Sequence, residues 1–312
     1  MARHQIRIGG IILPLYLSCT FTSIQMDRGF FIGVEGMKKA ILITSFGTSH
    51  LDTLDKTIVV IEKEVEEKYR NEYDIFRAFT SHMIIKSLKD KYDMNVMTPE
   101  EALKSLKLCG YDEVVVQPLH IIPGEEYDYI KRVVNSYKES FKSLIIGRPL
   151  LYFQSEEVNL DYDDLIDELK KVMPKGENVL LVGHGTNHPA SSCYGCLQNR
   201  FRELDYDNAF VGTVEGYPSI EGVIKTLKKY NVKEINLTPF LLVAGDHAKN
   251  DIFSEEEESW YLRLKEEGIE VKKIFKCLGE YKEIRNIYLR HLEEAINGKY
   301  EGMGESKKGI MN

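Results

Sequence analysis

Two histidines and two glutamates sit where this chain could hold a divalent metal ion and let it go again. His184 falls in Val-Gly-His-Gly-Thr-Asn-His and His247 in Val-Ala-Gly-Asp-His-Ala. Glu215 ends the run Ala-Phe-Val-Gly-Thr-Val-Glu, and Glu126 follows Pro-Gly-Glu. Imidazole nitrogen suits Fe2+, Co2+, Ni2+ and Zn2+, and a carboxylate adds charge. Three such ligands leave coordination positions open for an exchanging partner. A histidine that titrates near neutrality can also accept a proton.

Each residue also has an ordinary explanation. A single loop histidine is usually solvated or caps a helix. Glu126, with Glu125 and Asp128, would suit the positive end of a helix. Glu215 could serve the helix expected after Pro218. His50, His120 and His188 are less distinctive. His120 falls in an apolar run and could point inward. His188 is either surface or a supporting neighbour of His184.

An internal repeat shifts the balance. Residues 41–50, ILITSFGTSH, align without a gap on residues 179–188, VLLVGHGTNH. Residues 113–127, EVVVQPLHIIPGEEY, align on residues 234–248, EINLTPFLLVAGDHA. Phe46 stands opposite His184, and Glu126 opposite His247. A repeat describes architecture; these two mismatches at loop tips describe chemistry.

The elements that position these residues follow from the apolar pattern. Continuous apolar runs of five to seven residues suit strands buried on both faces of a parallel sheet. Strands are expected at 40–44, 74–80 and 113–117 in one copy, and at 178–182, 209–215 and 234–238 in the other. Fourth strands are expected near 144–152 and 271–275. Helices are expected over 51–69, 81–91, 190–204 and 280–295, with two more starting at Pro99 and Pro218. Thr98 and Glu101 read as a capping box. Strand and helix alternate through short links, so the fold class is α/β: two similar parallel-sheet sandwich domains related by a pseudo-two-fold. Functional loops in such sheets lie beyond the carboxyl ends of the strands. His184, Glu215 and His247 then share one edge, with Glu126 at the matching edge of the other half. If the halves face each other, all four meet in one cleft.

Composition narrows the alternatives. The 312 residues are 43% hydrophobic and 29% charged, with a formal net charge of −8. Nucleic-acid binders normally carry a basic face, so none is expected. Five cysteines at irregular spacing imply no disulfide framework. Cys193 and Cys196 form a lone CxxC, expected to pack in a helix. No Ser-His-Asp order, P-loop or GxGxxG occurs, and Gly183-His-Gly-Thr186 lacks the lysine and glycine spacing of a nucleotide loop. Four glutamates at 255–258 read as a first helical turn capped by Ser254, with concentration of metal ions near the cleft as the alternative.

The expected organisation is an extension at 1–36, halves at 37–157 and 158–297, and a disordered tail at 298–312. The extension is too short and too interrupted for a membrane span. Met37-Lys-Lys leading into the first strand suggests a cytoplasmic start there. The other reading is a weak secretory signal and an exported protein.

Residues from Met37 to about Asn297 resemble the anaerobic sirohydrochlorin cobaltochelatases, class II chelatases with a ferrochelatase-like fold. The stretches that carry the resemblance are SFGTSHLDT, FRAFTSHMI, LHIIPGEEY, VGHGTNH, VEGYP and LLVAGDHAKND, in order. It implies ATP-independent insertion of Co2+ into sirohydrochlorin in anaerobic cobalamin biosynthesis. It implies metal ligation by His184, Glu215 and His247, and an acid, Glu126, facing them. His184, Glu126 and His247 are the implied catalytic groups. No permanently bound cofactor is implied; the metal is a substrate. The anionic macrocycle calls for an apolar wall, for which Phe46 is the candidate, and for cations, for which Arg77, Lys86 and Lys249 are candidates. An iron or nickel chelatase and a non-catalytic tetrapyrrole- or metal-binding protein are the alternatives. A homo-oligomer stays open.

Overall fold

The computed structural model describes residues 37–153, 161–245 and 248–300. The extension, part of the expected link between halves, His247 and the final twelve residues lie outside the described residues.

The first half contains β1 (Lys39–Ser45), β2 (Asp74–Phe79), β3 (Glu113–Pro118) and β4 (Ser143–Ile146). The second contains β5 (Val179–Gly185), β6 (Ala209–Glu215), β7 (Glu234–Pro239) and β8 (Glu270–Lys273). Each set forms one parallel sheet, ordered β2-β1-β3-β4 and β6-β5-β7-β8. The repeat extends to register: Ile41 pairs with Val115 just as its aligned residue Val179 pairs with Asn236. The central strands read as apolar runs because both faces are covered; Ala40, Ile41, Leu42 and Leu180 are fully buried.

Among the described residues ten helices accompany the sheets: α1 (Leu51–Lys56), α2 (Ile58–Tyr69), α3 (His82–Tyr92), α4 (Pro99–Leu108), α5 (Glu125–Tyr137), α6 (Asp161–Val172), α7 (Ser192–Glu203), α8 (Ile220–Lys229), α9 (Trp260–Glu266) and α10 (Lys282–Ile296). The capping box at Thr98 is present, with Glu101 N–H donating to the Thr98 hydroxyl and Thr98 N–H to the Glu101 carboxylate.

Four local expectations change. The single helix over 51–69 breaks at Thr57, whose hydroxyl donates to the Thr53 carbonyl at 2.6 Å. Thr57 is fully buried and lies against Gly279 of the second half, where a methyl group would come within 2.8 Å of it. The helix expected at Pro218 starts later, capped by Ser219. The Pro218 carbonyl is instead held by the Thr213 N–H at 2.9 Å, which ties the turn to β6. β4 stops at Ile146, and Gly147 follows it so close to Gln117 that a side chain there would strike the Gln117 Oε1. Ser254 caps no helix; Ser259 does, accepting from Leu262 N–H, and residues 255–258 lie exposed in the turn before it.

The last helix crosses over. α10 packs on β3, β4 and α6 rather than on its own sheet. Ile284, Ile287, Tyr288 and Leu292 are buried there, and the Tyr288 hydroxyl donates to the Leu119 carbonyl at 3.1 Å. One apolar core therefore runs through both halves, joining Ile43 and Val115 to Val179, Leu181 and Phe201. Beside it Arg148 binds Asp161 at 3.0 Å and Glu294 at 2.7 Å, with His291 buried against Asp161. Residues 298–300, expected in the disordered tail, fold back onto this cluster: Lys299 pairs with Glu294, and the Tyr300 ring lies 4.7 Å from the Arg148 guanidinium.

Candidate active site

The carboxyl ends of β1 and β5 carry the same turn. Gly47 and Gly185 have φ of +91° and +82°, which side chains rarely tolerate. The Thr48 hydroxyl then accepts the His50 N–H at 3.2 Å, and the Thr186 hydroxyl accepts the His188 N–H at 3.0 Å. Gly-Thr-x-His is thus a turn device first, kept in both copies for backbone reasons.

The second copy places His184 on this edge, half-buried near the end of β5. Its Nδ1 lies 3.1 Å from the Gly185 carbonyl. A carbonyl only accepts, so this contact puts the ring proton on Nδ1 and leaves the lone pair of the neutral imidazole on Nε2. That is the tautomer a metal ligand needs. Glu215 is the last residue of β6, exposed and in register with Gly185 on the adjacent strand. The two neighbouring strand ends therefore carry His184 and Glu215 one register position apart. The third expected ligand, His247, is outside the described residues. Among the described residues no three His, Cys, Asp or Glu side chains gather into a metal-sized cluster.

Glu126 is the second residue of α5, half-buried, in a first turn with Glu125 and Asp128. No side chain caps this helix, so its positive end favours these carboxylates.

Two contacts show that the halves turn these edges toward each other. His188 Nε2 lies 3.3 Å from Asp128 Oδ2, joining the β5 loop to α5. The Thr53 hydroxyl donates to the Ala244 carbonyl at 3.2 Å, joining α1 to the loop after β7. These pairs bring the β5 loop to α5 and α1 to the loop after β7. Phe46, Met83, Tyr217 and Phe275, each following the carboxyl end of a strand, are 45%, 77%, 66% and 63% exposed, while Met37, Tyr92, Leu108 and Tyr230 are exposed elsewhere.

The cations expected to meet the substrate fare differently. Arg77 is a correction: its guanidinium is 9% exposed and forks onto Glu62, itself 2% exposed, with Nε–Oε1 at 2.6 Å. This is a buried pair between β2 and α2, which fixes helix to sheet. Lys86 is exposed on α3, beyond the carboxyl end of β2. The side chain of Lys249 lies outside the described residues. His120 does point inward, as its apolar setting suggested; both ring nitrogens are sealed without a partner, and burial pushes its pKa down to about 4. Cys193 is buried and Cys196 half-buried on α7, and burial raises both thiols above their ordinary range. Such thiols pack rather than react. The glycine between them, Gly195, leaves room for the Tyr217 ring.

Sequence reading missed the role of Asp128. The signal was present: the residue aligned with it in the second copy is Lys249, a reversal of charge within the same repeat.

No helix among the described residues is long and apolar enough to cross a membrane. The family model for cobalt chelatase (CbiK) matches residues 39–297. A sirohydrochlorin cobaltochelatase of Salmonella typhimurium is 39% identical over 264 residues, covering 84% of this chain and 97% of that protein. A second, named sirohydrochlorin cobaltochelatase CbiKC, from Nitratidesulfovibrio vulgaris, is 30% identical over 265 residues, covering 83% and 91%. Among solved structures, SirB from Bacillus subtilis with Fe3+ superposes with a TM-score of 0.55 at 17% identity, over 85% of this chain and 98% of that one. That likeness speaks for the fold alone. With 259 consecutive residues under one family model and two relatives matched nearly end to end, the chain belongs to the cobalt chelatase (CbiK) family.

Proposed function

We propose that this enzyme inserts Co2+ into sirohydrochlorin without ATP, with His184, Glu215 and His247 holding the incoming ion and Glu126 facing them as the acid-base group. The observation that carries the reading is the match to the cobalt chelatase family across both halves, with His184 near the end of β5 and Glu215 at the end of the adjacent strand β6.

Metallation of a tetrapyrrole has three requirements. The ion sheds water, a pyrrole nitrogen presents its lone pair, and two N–H protons leave. Neutral imidazoles replace water on Co2+ without trapping it as thiolates would. The His184 Nε2 lone pair is the donor that the Gly185 contact sets up. Glu215 balances the charge of the ion and lets the complex form at the strand edge. Glu126, in the first turn of α5, is the group proposed to take a proton from the ring. Phe46, Met83, Tyr217 and Phe275 supply apolar surface for a flat ring. Lys86 is the described cation offered to its carboxylates.

The test is a visible-absorbance insertion assay with sirohydrochlorin and equimolar Co2+, Fe2+ and Ni2+ in separate reactions. Multiple turnovers with Co2+ are expected. One equivalent of product per enzyme would instead mark a binding protein, and faster turnover with Fe2+ or Ni2+ would move the reading to another metal.

A further inference from the structure

The contact between His188 and Asp128 has an origin and a location that the chemistry above does not use. His188 is four residues beyond His184 on the same turn. Asp128 is two residues beyond Glu126 on α5. Each side is oriented before they meet. Ala190 N–H donates to His188 Nδ1 at 3.1 Å, so Nε2 carries the proton of that ring and faces Asp128 Oδ2 at 3.3 Å. On the other side Lys131 holds Asp128 Oδ1 at 3.2 Å, leaving Oδ2 to the histidine.

The pair is not what joins the halves. The shared core and α10 do that. The His188 and Asp128 side chains retain 25% and 36% exposure, and partly exposed pairs contribute little to folding. Nor is it a by-product of symmetry. The first copy has the same turn with His50, and the residue aligned with Asp128 is Lys249, so the sequence of this pair is not repeated.

We propose that His188 and Asp128 are positioning residues: a clasp between the halves that sets the separation between the His184 loop and the helix carrying Glu126. This rests on the chelatase reading of that cleft. A ligand and a proton acceptor on opposite walls work on one ring only at a fixed spacing, and small displacements of reacting groups are costly in rate.

The experiment uses the full chain in the Co2+ insertion assay. His188→Ala, Asp128→Ala, the double variant and Asp128→Asn are compared for kcat, for KM toward each substrate, and for thermal midpoint. Each single alanine variant is expected to lower kcat about tenfold while KM for Co2+ and the melting midpoint stay near wild type. The double variant should be no slower than the slower single one, because both remove the same contact. Asp128→Asn retains an oxygen acceptor for Nε2–H and should stay within about threefold of wild type. Additive losses in the double variant, wild-type kcat in both single variants, or a kcat loss that tracks a lowered melting midpoint would each overturn the clasp. Should His188→Ala fail to fold, the Asp128→Ala and Asp128→Asn comparison decides alone. Absence of turnover in the wild type would sink the chelatase reading instead, so the two failures are distinct.

Discussion

Gly185 and Glu215 are partners on adjacent strands, packed so closely that a methyl group on Gly185 would lie 1.7 Å from the Glu215 carbonyl oxygen. His184 precedes that glycine, and Glu215 is its neighbour. The backbone between these two metal-ligand candidates therefore has no room for a side chain at Gly185.

Gly185→Ala is accordingly expected to damage both fold and site. The left-handed φ alone costs about 1–2 kcal/mol for a non-glycine residue, and the collision with Glu215 adds to it. Denaturant titration should show that loss, and cobalt insertion should fall further than the unfolded fraction explains. An alanine variant with wild-type stability and rate would contradict the packing described.

His184→Ala removes the imidazole without opening a core cavity, since the residue is only half-buried. Insertion is expected to drop by about 10²-fold or more while the melting midpoint stays near wild type. Titration with Co2+ in the absence of sirohydrochlorin should show weakened binding as well. An unchanged rate would remove His184 from the site.

Arg77 and Glu62 make the opposite case. Glu62→Ala leaves the Arg77 guanidinium buried without its partner, and breaking a buried pair from one side costs about 3–5 kcal/mol. Urea unfolding should register that loss. The activity per folded molecule should be unchanged, because the pair fixes α2 to β2 and does not face the cleft chemistry. A selective rise in KM for sirohydrochlorin would restore Arg77 to substrate binding.

His120 makes stability depend on pH. Its pKa falls from 6.5 in the unfolded chain to about 4 in the fold, because burial disfavours the charged ring. The unfolded state then binds more protons between these values. Its contribution is fully present above pH 6.5 and is lost as pH falls toward 4, amounting to about 3 kcal/mol over the interval. The aligned residue in the second half is Leu241. His120→Leu should flatten the dependence of the thermal midpoint between pH 6.5 and 4 and leave the variant more stable than wild type at the acid end. An unaltered slope would assign the acid sensitivity to other groups.

Much of this was legible before any coordinates. Strands with both faces covered must be apolar throughout, so 40–44 and 178–182 announced a parallel sheet. Strand ends must carry whatever is polar and functional, so His184 and Glu215 fell on one edge. The rest depended on which surfaces meet. The amphipathic pattern of α10 says that one face is buried, but not that the face covers β3 and β4 of the other half. Arg77 at a strand looks available until α2 brings Glu62 onto it from 15 residues away. His188 and Asp128 are each visible in the sequence, yet their pairing exists only because the halves face each other. The break at Thr57 has the same cause, a contact with Gly279 made late in the chain.

The placement of α10 also bears on how the protein comes into being. A ribosome that has released β1 to β4 has delivered a sheet with one wall missing, since the helix that covers β3 and β4 is encoded last. The first half must wait, with apolar strand surface bared, until the entire second half has been translated. Duplication gave the chain two look-alike sheets, but vectorial synthesis cannot finish them in order: the earliest-made sheet is the last to be sealed.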